Sequence, residues 1–128
     1  MNLLKFNPQD DCIISRAEIF GSGRSISLKM IIDTGSTYTI IPTYAAHAIG
    51  NPQTNRIVEI TTGSRVEKAP LIIVPTFKAF GIALHHFPVI VHNLPSRSPI
   101  KGLLGLNFLK KSKCVIDFAK NTISIPRK

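Results

Sequence analysis

The stretch MIIDTGSTYTIIP at residues 30–42 places an aspartate and a glycine inside a strongly apolar run. Burying an unpaired carboxylate is costly, so a strand that only filled a core would gain nothing from Asp33. We therefore predict that an apolar strand delivers Asp33 into a loop, and that a second short strand follows at 39–42. Gly35 suits this loop because it lacks the Cβ that would block a tight turn.

The neighbours of Asp33 are suited to holding an acid. The hydroxyls of Thr34 and Ser36, together with backbone amides, can hydrogen-bond to a carboxylate held on rigid β structure. An alternative interpretation is that Asp33 is a turn-forming residue before a glycine and carries no chemistry. The apolar strands on both sides favour the functional interpretation.

Composition predicts an all-β fold. The chain has 128 residues, so we expect a single domain over 1–128 with a core at about 12–125. Hydrophobic residues make up 44% of it, and nine prolines and eight glycines are spread throughout. Such a composition is typical of many short elements joined by turns.

Local patterns predict where these elements lie. In residues 24–32 the apolar side chains alternate with others at the period of two expected of a half-buried strand. The predicted β segments are 12–20, 24–32, 39–42, 57–61, 66–74, 80–94 and a closing hairpin within 114–125. The first two form one hairpin, and 57–61 with 66–74 form another. Two short helices are predicted, one with Thr43 as N-cap and Gly50 as its stop, the other running from Gly105 to Lys110 and Lys111.

Charge is uneven along the chain. Sixteen Lys and Arg against seven Asp and Glu give a net charge of +9, and in residues 97–128 only Asp117 opposes the basic side chains. Such a skew can attract nucleic acid or acidic polypeptide. Here the basic residues are interspersed with apolar ones, as on an ordinary solvated face, so the pattern does not favour a nucleic-acid partner.

Cysteine and histidine positions give no metal or redox motif. Cys12 and Cys114 form no C-x-x-C pair, and we expect both to be reduced and buried. His85, His86 and His92 have no carboxylate near them in sequence, so they predict no metal site. The N-terminus lacks a long apolar run and nothing later approaches a membrane span, so we expect a cytoplasmic protein with no membrane partner.

One acid alone does little hydrolysis. Two carboxylates about 3 Å apart share a proton, so that one acts as base toward water while the other donates to the carbonyl oxygen. Asp117 lies at the end of a hairpin strand without a glycine or hydroxyl companion, and Asp10 and Asp11 lie in a polar N-terminal segment. The simplest source of a second acid is an identical subunit, whose Asp33 would meet its mate at a two-fold axis.

The motifs IIDTGSTYTIIP, IKGLLGLNFLKK and VIDFAKNTISI, in this order, resemble the retropepsin-like aspartic proteases. These are single-domain, homodimeric relatives of pepsin, and the resemblance is to bacterial and retroelement-type members. It covers most of the chain. The resemblance implies an acid-protease barrel with one or two short helices, and no cofactor or metal.

The resemblance also implies roles for residues that match its motifs. Asp33 is the catalytic aspartate, with Thr34 bonding across the dimer beneath the two acids, Gly35 lying close to substrate and Ser36 bonding to the carboxylate. Three residues of the apolar-apolar-Gly element pack behind this loop: Leu103, Leu104 and Gly105. The tip of a β-hairpin flap over the substrate matches Thr62, Gly63 and Ser64.

The chain's end departs from the retroviral pattern. In retroviral members the terminal strands of both subunits interleave to make the dimer. Pro126 would interrupt a central strand, so the strand is predicted to stop at Ile125 or the dimer to be held differently.

Two functional interpretations remain open. The first is an endopeptidase in which an extended polypeptide, with apolar side chains near the scissile bond, lies between the flap and the Asp33 loops. The second is a dimeric module that kept the fold and binds peptides or acidic partners without cleaving them.

Overall fold

The computed structural model describes residues 2–52, 56–62, 64–94 and 99–126. Within these ranges the chain forms ten strands and two short helices, which confirms the all-β class. In chain order they are β1 (Asn2–Lys5), β2 (Ile14–Phe20), β3 (Ser25–Ile32), β4 (Ile40–Ile41), α1 (Thr43–Ala48), β5 (Arg56–Thr62), β6 (Arg65–Ala79), β7 (Ile82–Val91), β8 (Gly102–Leu104), α2 (Leu106–Ser112), β9 (Val115–Asp117) and β10 (Thr122–Ile125).

Six strands close into a barrel in the order β2-β3-β8-β4-β7-β6, and β6 pairs back to β2. The predicted hairpin of β2 and β3 is confirmed, with antiparallel register from Ile14 opposite Ile31 to Phe20 opposite Ser25. β3 and β8 run parallel, and so do β4 and β7. β5 pairs with β6 alone and therefore lies outside the closed ring.

The core lies inside this barrel. Burial along β2 alternates residue by residue, as the period of two predicts, so that Ala17 and Ile19 point inward. Phe77, Phe87 and Phe108 are fully buried, and their ring centroids lie 5.1 to 5.8 Å apart in tilted and edge-to-face pairs. Phe108 belongs to α2, so this aromatic cluster fixes the second helix against the barrel wall.

Three local predictions need correction. The strand β6 runs on from 74 to Ala79, and a tight turn at Phe80 and Gly81, both with positive φ, joins it directly to β7. The helix α1 begins at Thr43 with Pro42 as N-cap, so Thr43 is not the cap, because the proline's fixed φ already suits the helix entry. Both cysteines are free as expected, but neither is buried: Cys12, which precedes the first barrel strand, is exposed, and Cys114 is half-buried.

A second, three-stranded sheet joins the two ends of the chain. β10 pairs with β1 on one side and with β9 on the other, both antiparallel. The closing hairpin of β9 and β10 is confirmed, and β10 ends at Ile125, directly before Pro126, as predicted. β1 is not predicted by the sequence. In the described part of the chain, no helix has the length and apolar character needed to cross a membrane.

Truncating the aromatic cluster tests the packing of α2. Phe108→Ala should lower the free energy of unfolding by about 3–5 kcal/mol, because it removes a fully buried ring and leaves a cavity. The measurement is urea denaturation at fixed protein concentration. Phe118→Ala is the matched control. The Phe118 ring is 70% exposed and makes an edge-to-face contact with Phe6, so a loss of about 1 kcal/mol or less is expected. Equal losses would contradict the proposed packing.

Candidate active site

Asp33 directly follows β3, at the point where the strand leaves the barrel. Its backbone N–H donates to the carbonyl of Leu104 at 3.0 Å, and its carbonyl accepts from the N–H of Ser36 at 3.2 Å. The carboxylate oxygen Oδ1 accepts from the N–H of Gly35 at 2.9 Å. This last bond is the Asx-turn bond of the alternative interpretation, and it also fixes the direction of the acid. Asp33 is half-buried.

The three residues after Asp33 form the turn itself. Thr34 and Gly35 are exposed, and a Cβ on Gly35 would lie 3.2 Å from Oδ1 of Asp33, a tight contact. The Ser36 hydroxyl donates to the carbonyl of Tyr38 at 2.6 Å. This bond replaces the predicted one to the Asp33 carboxylate, because a hydroxyl has a single hydrogen to donate. Ser36 therefore supports the loop through its hydroxyl bond to Tyr38 and its backbone bond to the carbonyl of Asp33.

The segment at 103–105 lies against the Asp33 loop. Leu103 lies opposite Ile31 of β3, and Leu104 is fully buried. A Cβ on Gly105 would overlap the carbonyl oxygen of Tyr38 and come within 2.8 Å of the carbonyl oxygen of Ser36. Only glycine lets the two backbones approach this closely.

A polar network that sequence reasoning missed ties the two segments together. Oδ1 of Asn107 accepts from the backbone N–H of Thr39 at 2.9 Å and from its hydroxyl at 2.8 Å, while Nδ2 donates to the carbonyl of Pro88 at 2.9 Å. The Thr39 hydroxyl in turn accepts from the N–H of Gly105 at 3.2 Å. Thr39 is fully buried, so every polar atom of this residue needs such a partner.

The hairpin of β5 and β6 extends over the loop side of the barrel. Alternate residues of its inner face, Val58 and Ile60 on β5 and Ala69 and Leu71 on β6, belong to a small apolar cluster with Ile40 and Ile90. At the tip, Thr62 lies opposite Arg65 and Ser64 is exposed in the turn, whereas Gly63 lies outside the described residues. The predicted flap region is thus a hairpin whose base packs beside the Asp33 loop.

Two cavities separate the hairpin from the loop. One, of about 280 Å³, lies between residues 35–38 and the β5 segment 59–61. The other, of about 610 Å³, is lined by Asp33, Gly35 and Ser36 on the loop side and by Thr61 of β5, Glu67 of β6 and the segment after β7 on the other. The acid therefore faces an open cleft whose far wall is the hairpin.

A contact between a histidine and a carboxylate lies in the larger cavity. Nε2 of His92 is 3.2 Å from Oε2 of Glu67, and both side chains line the cavity together with Asp33. His85 lies elsewhere, with Nδ1 3.1 Å from the Thr76 hydroxyl. Among the residues that the structure describes, no three His, Cys, Asp or Glu side chains are grouped to hold a metal ion.

Comparison with known proteins identifies the family. Residues 16–108 match the family model described as aspartyl protease, which is more than half of the chain, and the chain therefore belongs to the aspartyl protease family. Among solved structures, the chain is similar to a retropepsin-like aspartic protease from Rickettsia conorii. The TM-score is 0.66 with 19% identity over 94% of this chain and 86% of that one, a likeness that shows the fold. No curated protein sequence matches the chain.

The Thr39 hydroxyl should be essential to the loop's support. Thr39→Val keeps the shape but leaves the buried N–H of Gly105 without its acceptor, so we expect a loss of about 1–3 kcal/mol in the free energy of unfolding. Thr39→Ser keeps the hydroxyl and should recover most of that stability. Urea denaturation of the three proteins makes the comparison, and a Val variant as stable as the Ser variant would contradict the network.

Proposed function

We propose that the chain is an aspartic endopeptidase that works as a homodimer, with Asp33 of each subunit as the catalytic pair. The observation that carries the proposal is the placement of the Asp33 carboxylate: the backbone bond to Leu104 and the N–H of Gly35 fix it at the floor of a cleft covered by a hairpin. Membership of the aspartyl protease family supports the same chemistry.

The proposed reaction uses only these two acids and a water molecule. One proton is shared between two carboxylates about 3 Å apart. The ionised acid takes a proton from water as the water attacks the scissile carbonyl carbon, and the other acid gives its proton to the carbonyl oxygen. Collapse of the resulting diol then breaks the C–N bond as the amine leaves with a proton.

The second carboxylate is assigned to a second copy because the other aspartates have other positions. Asp117 accepts from the N–H groups of Ala119 and Lys120 at 2.9 and 3.0 Å, so it closes the turn between β9 and β10. Asp10 and Asp11 are exposed in the turn before β2, and they share with Asp33 a cavity of about 510 Å³ that the hairpin does not line. The exposed Thr34 is then free to bond across the two-fold axis.

The hairpin is proposed to be the flap. An extended polypeptide would lie between residues 35–38 and β5, bonded through its backbone, with its side chains in the two cavities. Thr62, Gly63 and Ser64 would then close over the substrate backbone. The apolar inner face of the hairpin fits apolar side chains near the scissile bond.

Removing the acid tests the catalytic assignment. Asp33→Asn should abolish cleavage of an unfolded-protein or peptide library at mildly acidic pH, a loss of at least about 10³-fold, while thermal unfolding stays close to that of the parent. Asp10→Asn and Asp11→Asn are matched controls and should retain cleavage. Cleavage that survives Asp33→Asn would remove the assignment, whereas peptide binding without any cleavage by the parent protein would favour a binding module.

Mixing parent and Asp33→Asn chains tests whether the pair forms between subunits. After equilibration of equal amounts, half of the dimers carry one Asn, so activity per parent chain should fall to about half, and further as the variant is added in excess. Adding an equal amount of Asp10→Asn chains should cause no such loss. If adding the Asp33→Asn variant left the activity per parent chain unchanged, each chain would hold a complete site and the proposed pairing would be wrong.

A further inference from the structure

The cavity of about 510 Å³ that Asp33 shares with Asp10 and Asp11 lies outside the cleft under the hairpin. Its wall is formed by residues of the segment 6–13, the end of β3 and the turn that follows β9. None of the described residues of β5, β6 and β7 lines it. A polypeptide held between the hairpin and residues 35–38 would therefore leave this cavity empty, and its occupant must be sought elsewhere.

Two aromatic rings form part of this wall. Phe118 lies in the turn after β9, and its ring meets that of Phe6 edge to face, with the ring centroids 5.9 Å apart. The Phe118 side chain is 70% exposed, the largest fraction among the exposed large apolar side chains that the structure describes. Ile13, Ile31 and Ile32 line the same cavity and are half-buried. An exposed aromatic ring beside a partly apolar cavity gains free energy when a second surface covers it.

The proposed catalytic pair puts a second copy of the chain at this cavity. A two-fold axis that brings two Asp33 carboxylates to about 3 Å must pass between them. Side chains that share a cavity with Asp33 then lie close to the axis and face the partner subunit. Because the contact is isologous, each such residue is used twice in the dimer.

We propose that Phe118 is the apolar anchor of the dimer: supported by Phe6, its ring packs against the partner subunit's copy of this cavity. Aromatic side chains that become fully covered are enriched among the residues that dominate binding energy at interfaces. Asp10 and Asp11 are exposed, so their charges can stay in water at the rim of the contact. The inference rests on the proposed function, because it takes the Asp33 pair as the position of the axis.

The test measures dimerisation directly. Sedimentation equilibrium over a range of protein concentrations gives the Kd of the parent dimer and of its variants. Phe118→Ala should raise this Kd by about thirtyfold or more, the effect expected of an aromatic anchor, because each dimer loses two rings. Cleavage per chain should fall on dilution at a correspondingly higher concentration, and kcat should return to the parent's value well above the new Kd.

A matched control separates the anchor from the loss of any exposed ring. Tyr44→Ala removes a ring that is 53% exposed on α1, which does not line the cavity, and should leave the Kd unchanged. At concentrations below the parent's Kd, the Phe118→Ala chain should unfold at nearly the parent's urea midpoint, because the ring is exposed in a single chain. Equal effects of the two variants on Kd would overturn the anchor. A parent dimer that cleaves peptides and keeps its Kd on Phe118→Ala would also overturn it and leave the proposed function standing.

Photo-cross-linking keeps the anchor testable if Phe118→Ala does not fold or the parent protein cuts nothing. With p-benzoylphenylalanine in place of Phe118, a mixture of isotope-labelled and unlabelled chains is irradiated and the linked peptides are identified by mass spectrometry. Links from position 118 to residues 6–13 or 31–33 of the other chain would support the anchor even without cleavage. Links confined to one chain, or to an added peptide and not to the partner, would overturn it. A parent chain that stays monomeric at every concentration would overturn both the anchor and the proposed homodimer.

Discussion

The Asp33 loop depends on the close approach of two backbone segments that are far apart in sequence. The N–H of Asp33 is bonded to the carbonyl of Leu104, and the carbonyl of Ser36 accepts from the N–H of Leu106 at 2.8 Å. Gly105 makes this approach possible, because any side chain there would collide with the backbone of Tyr38. The acid is thus held by backbone bonds that do not vary with side-chain motion, which is the preorganisation that a catalytic carboxylate requires.

Much of this arrangement can be predicted from the sequence, because its causes are local. The period of two in β3 follows from inward and outward side chains on a barrel wall, and an aspartate before a glycine between two apolar strands marks a loop at the barrel's end. The glycine at 105, between an apolar strand and a helix, is a similar local signal. The fold class, the first hairpin, both helices and the position of the Asp33 loop could all be predicted in this way.

The features that sequence reasoning missed depend on pairings made in three dimensions. Asn107 lies 68 residues from Thr39, and nothing near either residue indicates that they meet. β1 is a four-residue strand in a mixed polar and apolar segment, and only its pairing with β10 defines it. Glu67 and His92 are far apart in sequence, and nothing near either residue indicates that their side chains meet.

The terminal sheet limits how two copies can meet. β10 has β1 on one edge and β9 on the other, so a strand of a second copy could pair with β10 only by displacing one of them. Among the described strands of this sheet, only the outer edges of β1 and β9 are open. These strands have four and three residues, too few to give a long ladder. The face of the same sheet offers more, because Leu3 and Val115 are exposed on it, and the exposed Phe118 in the turn after β9 lines a cavity with Asp33. A dimer centred on the Asp33 loops is therefore more compatible with side-chain contacts on this face than with exchanged strands.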